Sequence, residues 1–228
     1  MSDLELQALR LSLRVAATAT LATLPLALLL ALALARGRWR GKALLEAAIN
    51  LPLVLPPVVI GYALLIAFGR QGPLGRWLNE WFGITFVFTF RGAVLAAAVM
   101  ALPLMVRAVR QALEAIDRGL EDAARTLGAS RLDAFASVTL PLAAPGLLSG
   151  AVLGFAASLG EFGATITFVS NVPGETQTLP LAIYSATQIP GGEAIAARLA
   201  AISFALAIGG LLLAELLARR MHRWLGRG

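Results

Sequence analysis

The sequence predicts an all-α integral membrane protein with about five transmembrane helices, and three observations lead to this fold class. Of its 228 residues, 58% are hydrophobic and 14% are charged, whereas a soluble domain carries about 25% charged residues. Its mean hydropathy is +0.79. Five stretches are apolar over roughly the 20 residues that a helix needs to cross a hydrocarbon core. Backbone groups in lipid must be hydrogen-bonded within their own segment, which favours helices over strands.

The five stretches define approximate spans within one transmembrane domain that covers residues 1–228. The spans are residues 15–35, 47–68, 86–106, 141–161 and 199–218. A basic cluster follows the first span and consists of Arg36, Arg38, Arg40 and Lys42. Such a cluster is typical of a stop-transfer signal, so we expect an uncleaved anchor rather than a signal peptide.

Prolines and glycines predict special features in the second and fourth spans. The second span contains Pro52, Pro56 and Pro57. Because proline removes a backbone donor, these residues predict a kink. A kinked helix either lines a polar cavity or is buried in protein, and both possibilities stay open for Pro56 and Pro57. In the fourth span, Gly146, Gly150 and Gly154 predict close helix crossing, within one chain or between two copies.

The distribution of basic residues predicts the orientation of the chain. Thirteen of the nineteen Lys and Arg residues fall in residues 36–42, in residues 107–139 and after residue 218. With five spans, these three segments lie on the same side of the membrane, and basic loops stay in the cytoplasm. The N-terminus is therefore predicted outside and the C-terminus in the cytoplasm. The same asymmetry explains the net charge of +6 without a nucleic-acid partner.

The residue types present argue against several kinds of catalytic site. The chain has no cysteine and one histidine, so thiolate nucleophiles, histidine triads and metal sites built from these ligands are not expected. A P-loop needs Gly, four residues, Gly, Lys and then Ser or Thr. The nearest match runs from Gly37 to Lys42, has three residues between its glycines and continues with Ala43. We expect no catalytic residue, metal or cofactor in this chain, and energy for any transport must come from a partner.

The polar segment 107–139 contains a predicted amphipathic helix. Its apolar stripe consists of Ile116, Leu120, Ala123, Ala124 and Leu127. On the opposite face, Glu121 stands four residues before Arg125, which predicts an ion pair. Such a helix either rests on lipid headgroups or docks in a groove of a partner protein. The alanines favour a partner, because they permit close backbone approach, whereas lipid-inserted helices use large apolar residues with Lys or Arg.

A glycine corner is predicted after this helix. Gly128 suits the left-handed C′ position that ends a helix. Ser130, with Asp133 three residues later, predicts the N-cap of another helix. We expect a second short helix there, with the fourth span beginning near Pro141.

The same segment, residues 107–140, resembles the EAA loop of ABC-transporter permeases. It contains Asp122-Ala123-Ala124, three residues, Gly128, nine residues and Val138-Thr139-Leu140-Pro141, with Asp for the usual Glu and Val for the usual Ile. The resemblance implies a coupling helix that sits in a cleft of an ATPase subunit. It assigns this coupling to Glu121, Asp122, Ala123, Ala124, Gly128 and Pro141.

Other segments are similar to one branch of that family, the molybdate permease subunits. The similarity is carried by residues 50–59 (NLPLVLPPVV), 81–86 (WFGITF), 158–171 (SLGEFGATITFVSN) and 173–176 (PGET). It implies a type I ABC importer permease fold in the cytoplasmic (inner) membrane. It also implies a homodimer, two ATPase subunits that bind ATP and Mg, and an extracytoplasmic molybdate-binding protein. Molybdate or tungstate would then be translocated by alternating access. Sulfate and thiosulfate permeases are the alternative, and a passive anion channel is a more remote one.

Two charged residues at the ends of spans are further candidates for the pathway. Arg91 lies at the start of the third span and Glu161 at the end of the fourth, so both are expected near the outer boundary. A mutual ion pair would allow each to lie near lipid. In the alternative interpretation, Arg91 attracts a dianionic substrate and Glu161 restrains it until a gate opens. The outer segment 170–193 carries neutral polar side chains that suit either an oxyanion conduit or a partly re-entrant cap.

Overall fold

The computed structural model describes residues 3–37 and 39–224; Arg38 of the predicted stop-transfer cluster lies outside the described residues. The described part of the chain is helical and contains no strand. Its helices are α1 (Asp3–Arg36), α2 (Lys42–Val54), α3 (Pro57–Phe68), α4 (Pro73–Phe82), α5 (Phe90–Glu114), α6 (Arg118–Thr126), α7 (Arg131–Ala134), a π-helix (Phe135–Thr139), α8 (Leu140–Leu159), α9 (Gly163–Val169), α10 (Leu179–Thr187) and α11 (Glu193–Trp224). The predicted all-α class is confirmed.

The number of spans agrees with the sequence prediction. Four segments are long and apolar enough to cross a membrane, namely α1, α5, the continuous run Arg131–Leu159 and α11. The pair of α2 and α3 gives a fifth if the two bent helices together form one span. The helices exceed the predicted spans at several ends, because their polar terminal turns continue the helix beyond the apolar stretch.

The second span is broken, where the sequence predicted a kink. Leu55 and Pro56 have extended backbones, with ψ of 146° and 136°. A residue before proline is disfavoured in the helical conformation, and both of these residues precede a proline. Two such residues in succession end α2 and start α3, and the two helices are bent by 115°.

The fourth span begins at Arg131 and not near Pro141 as predicted. Phe135–Thr139 is π-helical, and the N–H of Leu140 donates to the carbonyl of Phe135, five residues back. In an α-helix the ring of Pro141 would clash with the carbonyl four residues earlier, and the wider π turn avoids that clash. The predicted second short helix is therefore the first turn of a long continuous one.

The centre of the bundle is formed by α1, α5 and α8, which pack against one another. The glycines of α8 face α5: a Cβ atom on Gly154 would lie 2.5 Å from Met105 Sδ, and one on Gly150 would lie 3.1 Å from Val109 Cγ2. The small-residue spacing therefore serves a crossing within one chain. Around this centre, α3 packs on α9, and α11 packs on α8 and α10.

Candidate functional site

Local sequence fixes both ends of α6, the helix that the sequence assigned to coupling. Asp117 is its N-cap and accepts a hydrogen bond from Gly119 N at 2.9 Å. At the other end Gly128 has a φ of +97°, and Ala129 N donates to Ala124 O at 3.1 Å. This is the hydrogen bond of a Schellman-type helix end. Glycine adopts this left-handed conformation without steric cost, so the predicted corner at Gly128 is confirmed.

The polar face of α6 is held against the end of α1. Arg36, the last residue of α1, donates from Nη1 to both carboxylate oxygens of Glu121 and lies 2.6 Å from Oε1. Arg118 Nη2 donates to Ala35 O at 3.4 Å. Positions 118 and 121 are neighbours on one helix face. The predicted pair of Glu121 with Arg125 is wrong, because Arg36 occupies the carboxylate from 85 residues away.

The apolar face of α6 is left open. Leu120 is 47% exposed and Leu127 is 89% exposed; Ala123 is also exposed and Ala124 is half-buried. Only Ile116, before the helix begins, reaches the core of the bundle. A surface helix normally buries its apolar stripe and exposes its polar side. In α6 the apolar stripe is exposed together with most of the polar side, which is typical of a surface that receives a partner.

The corner after α6 leads directly into a membrane-spanning helix. Ser130 and Asp133 form a capping box, with Asp133 N donating to Ser130 Oγ and Ser130 N donating to Asp133 Oδ2, each at 3.2 Å. From Arg131 the helix continues without a break to Leu159. Pro141 lies on this helix, about three turns beyond the corner, and so does not share the surface of α6. A displacement of α6 therefore acts on a long rigid element.

The break between α2 and α3 meets the turn between α8 and α9 at a place where Pro56 and Pro57 are exposed and Glu161 is buried. Gly163, at the start of α9, packs on Pro57, at the start of α3: a Cβ atom on Gly163 would lie 2.7 Å from Pro57 Cβ. Residues 55–57 and 160–163 together are called the helix junction below. The structure thus brings Pro56, Pro57 and Glu161 to one place. Discontinuous helices that meet within the membrane are typical of substrate sites in transporters.

Arg91 and Glu161 do not form the predicted ion pair. Glu161 is 8% exposed, and its Oε1 accepts a hydrogen bond from Ala164 N at 2.7 Å, which caps α9. Arg91 is exposed, and a Cβ atom on the adjacent Gly92 would lie 2.5 Å from Val169 Cγ1, at the other end of α9. Glu161 and Val169 are thus at opposite ends of α9, whose backbone is about 10 Å long. No ion pair in the described part of the chain includes Arg91 or Glu161.

The segment after α9 is a hydrogen-bonded cap. Thr176 is fully buried; its Oγ1 accepts from Val172 N at 2.9 Å and donates to Ser170 O at 3.1 Å. Asn171 Nδ2 donates to Ser185 Oγ at 2.6 Å. These neutral groups are hydrogen-bonded to one another within the segment. The bonds favour the interpretation of residues 170–193 as a cap over their interpretation as an oxyanion conduit.

Two features of this architecture are missing from the sequence analysis. Arg110 of α5 pairs with Glu46 of α2 and with Glu114, in both cases at 2.7 Å. The four-residue spacing could have indicated the contact with Glu114, but nothing local indicates Glu46. Helix α4 is amphipathic and exposes Trp77 and Trp81; its alternation of tryptophan with charge was a readable signal between the spans.

The sequence comparisons agree over nearly the whole chain. A family model described as "binding-protein-dependent transport system inner membrane component" matches residues 8–223. The molybdenum transport system permease protein ModB of Escherichia coli (strain K12) is 58% identical over 227 residues, which cover 100% of this chain and 99% of that protein. ModB of Haemophilus influenzae is 56% identical over 225 residues, covering 99% of this chain and 98% of that protein.

Solved structures of ABC transporters share the fold. A chain of the bacterial alginate ABC transporter, solved with an alginate-bound periplasmic protein, gives a TM-score of 0.75 at 20% identity and covers 99% of this chain and 80% of its own. A chain of the inward-facing MetNI methionine ABC transporter gives 0.71 at 18% identity, with 97% and 99% coverage. At these identities the likeness describes the backbone architecture alone.

Proposed function

The chain belongs to the family of binding-protein-dependent transport system inner membrane components, and we infer that it is the permease subunit of a molybdate ABC importer. It is a multi-pass inner-membrane protein with the fold of type I ABC importer permeases. The observation that carries the substrate assignment is the 58% identity along its whole length to a molybdenum permease. Sulfate or thiosulfate transport has no comparable support.

The subunit works as a homodimer around a central path, with one ATPase subunit bound to each copy. The ATPase subunits hold ATP and Mg²⁺ and hydrolyse the nucleotide, because the sequence of the permease contains no P-loop. A binding protein delivers molybdate to the outer face. The N-terminus lies outside and the C-terminus in the cytoplasm, which puts α6 on the same side as the basic loops.

Coupling takes place through the open apolar face of α6. Asp122, Ala123 and Ala124 contact the ATPase, with Leu120 and Leu127 covered at the rim of the same interface. When ATP closes the ATPase dimer, the two copies of α6 move together. The corner at Gly128 transmits this motion to the helix that contains Pro141, and the path changes from inward-open to outward-open by alternating access.

The pathway passes the helix junction. Arg91, exposed and nearer the outer end, attracts the dianion. Pro56 and Pro57 shape the junction, where two helices end and rotate most freely. Glu161 repels an anion and is occupied with capping α9, so it restrains passage and does not bind the substrate. Tungstate has the same charge and tetrahedral shape and uses the same path.

Reconstitution in proteoliposomes tests this function. We expect radiolabelled molybdate to accumulate when the chain is combined with its ATPase, its binding protein and ATP, and excess unlabelled sulfate to compete weakly. Preferential accumulation of sulfate would show that sulfate, and not molybdate, is the substrate. Uptake without the ATPase would show a passive channel and overturn the coupled mechanism.

A further inference from the structure

One ion pair connects α6 to a helix far away in the sequence. Arg36 ends α1, and Glu121 lies in the first turn of α6, 85 positions later in the sequence. Their side chains are 28% and 18% exposed. Water and salt screen an ion pair shielded to this extent less than a fully exposed one, and loss of one partner leaves the other poorly solvated.

This contact adds a lateral connection between α6 and the central helices, beside the chain connections at its two ends. Through Gly128, the end of α6 continues into the helix Arg131–Leu159. Through Glu121, its beginning is joined to α1, and Arg118 adds a hydrogen bond to Ala35 O at 3.4 Å. Both receiving helices belong to the central packing of α1, α5 and α8.

Helix α6 is joined to its neighbours by short turns at both ends. Ile116, in the turn from α5, is buried in the core, and Gly128 leads into the helix Arg131–Leu159. A helix held only at its two ends can still tilt sideways about the line between them, and part of its displacement is then lost as local bending. The lateral attachment through Glu121 resists this tilt, so that α6 moves together with the central helices.

Glu121 lies beside the half-buried Ala124, at one edge of the apolar stripe. An attachment there leaves Leu120, Ala123 and Leu127 exposed.

We propose that Arg36 and Glu121 form a latch that makes α1 and α6 move as one body, and that Glu121 is a positioning residue. This proposal rests on the proposed coupling to an ATPase. It separates two neighbouring acidic residues: Asp122 is exposed and available for docking, whereas Glu121 is bound to Arg36 of α1. The resemblance to the EAA loop assigned both to docking.

Charge reversal tests the latch in proteoliposomes that contain the full chain, its ATPase and its binding protein. The variants are Arg36→Glu, Glu121→Arg and the double exchange, with Arg40→Glu as a matched control because Arg40 is exposed in the same loop. The readouts are the ATP hydrolysed per molybdate transported and the amount of ATPase that co-purifies.

We expect each single reversal to raise the ATP used per molybdate by about fivefold or more, with the ATPase still bound. The double exchange restores the ratio to within about twofold of the wild type, and Arg40→Glu leaves it unchanged. This rescue separates a latch from a merely structural loss.

Two outcomes overturn the proposal. If Glu121→Arg releases the ATPase and Arg36→Glu does not, Glu121 is a docking contact. If Arg40→Glu uncouples ATP hydrolysis from transport as strongly as Arg36→Glu, coupling depends on the net charge of the loop and not on the pair of Arg36 with Glu121. Failure of the proposed function itself is seen separately, because the wild type then fails to accumulate molybdate.

Discussion

Helices α6 and α8 both carry small residues at helical spacing, and the structure uses them in opposite ways. On α8, Gly146, Gly150 and Gly154 are buried against α5 in the same chain. On α6, Ala123 is exposed beside Leu127. Small residues indicate that another backbone approaches closely, but not which chain supplies it. The contacts of each helix answer this question. Helix α6 is attached to its own chain through Glu121, and its exposed Ala123 is available to another molecule.

The largest effect on transport is expected at Gly128, the corner between α6 and the helix that contains the glycines of α8. Gly128→Val places a β-branched residue at a φ of +97°, which costs about 1–3 kcal/mol and changes the direction of the chain. We expect ATP-dependent molybdate uptake and ATPase stimulation to be abolished while membrane insertion is retained. Gly83→Val is the control, because Gly83 also has a positive φ, at the end of α4, outside the coupling loop. Normal uptake by Gly128→Val would refute the role of the corner.

The next largest effect is expected on binding of the ATPase, from a substitution on the exposed apolar face of α6. Ala123→Arg introduces a large charged side chain at its centre, and we expect the affinity for the ATPase to fall by about a hundredfold, as at an interface hot spot. The Tm of the isolated chain stays the same, because the new side chain enters solvent. Ala115→Arg, at an exposed position before α6, is the control. An unchanged affinity in Ala123→Arg would place the partner elsewhere.

Substitutions among the buried glycines of α8 should lower stability and leave the affinity for the ATPase unchanged. A Cβ atom on Gly146 would overlap with Ala112 Cβ, so Gly146→Ala is expected to lower the stability by about 1–3 kcal/mol, the usual cost of overpacking. Thermal unfolding in detergent measures the effect, and the affinity of the folded fraction for the ATPase stays the same. Gly209→Ala, with nothing within 4 Å of its Cβ, is expected to be neutral or stabilising. Equal Tm values for the two variants would show that α8 does not need close packing on α5.

The smallest effect is expected at α9, which is fixed by a local contact. Glu161→Ala removes the acceptor for Ala164 N and should cost about 1 kcal/mol, as for loss of a helix cap. Arg91→Ala should leave the Tm unchanged, because the two charges do not touch. If both variants lowered the Tm equally and the double variant lowered it no further, Arg91 and Glu161 would form an ion pair after all.

Features determined by neighbouring residues could be predicted from the sequence. The spans follow from hydropathy, the helix end at Gly128 follows from the conformational freedom of glycine, and the cap at Ser130 follows from its spacing to Asp133. In each case the interacting groups are a few residues apart, so the pattern itself contains the interaction.

Features determined by tertiary packing could not be predicted. Glu121 had a suitable partner four residues away, yet it pairs with Arg36, because α6 lies beside the end of α1. Glu161 was expected to pair with Arg91, but it folds back and accepts a hydrogen bond from Ala164 N at the start of α9. Arg91 lies near the other end of α9, so the expected ion pair does not form. The docking and pathway roles of these residues remain predictions that the experiments above test.

The exposure of Leu127 on α6 has a consequence for synthesis of the protein. Leu132, just past the corner, is also 79% exposed. Each leucine left in water forgoes about 1.5–3 kcal/mol that burial would contribute. If an ATPase covers this face as proposed, a subunit made without that partner exposes an apolar patch that favours aggregation or proteolysis. The proposed function therefore predicts that cells need to make the two polypeptides in balanced amounts.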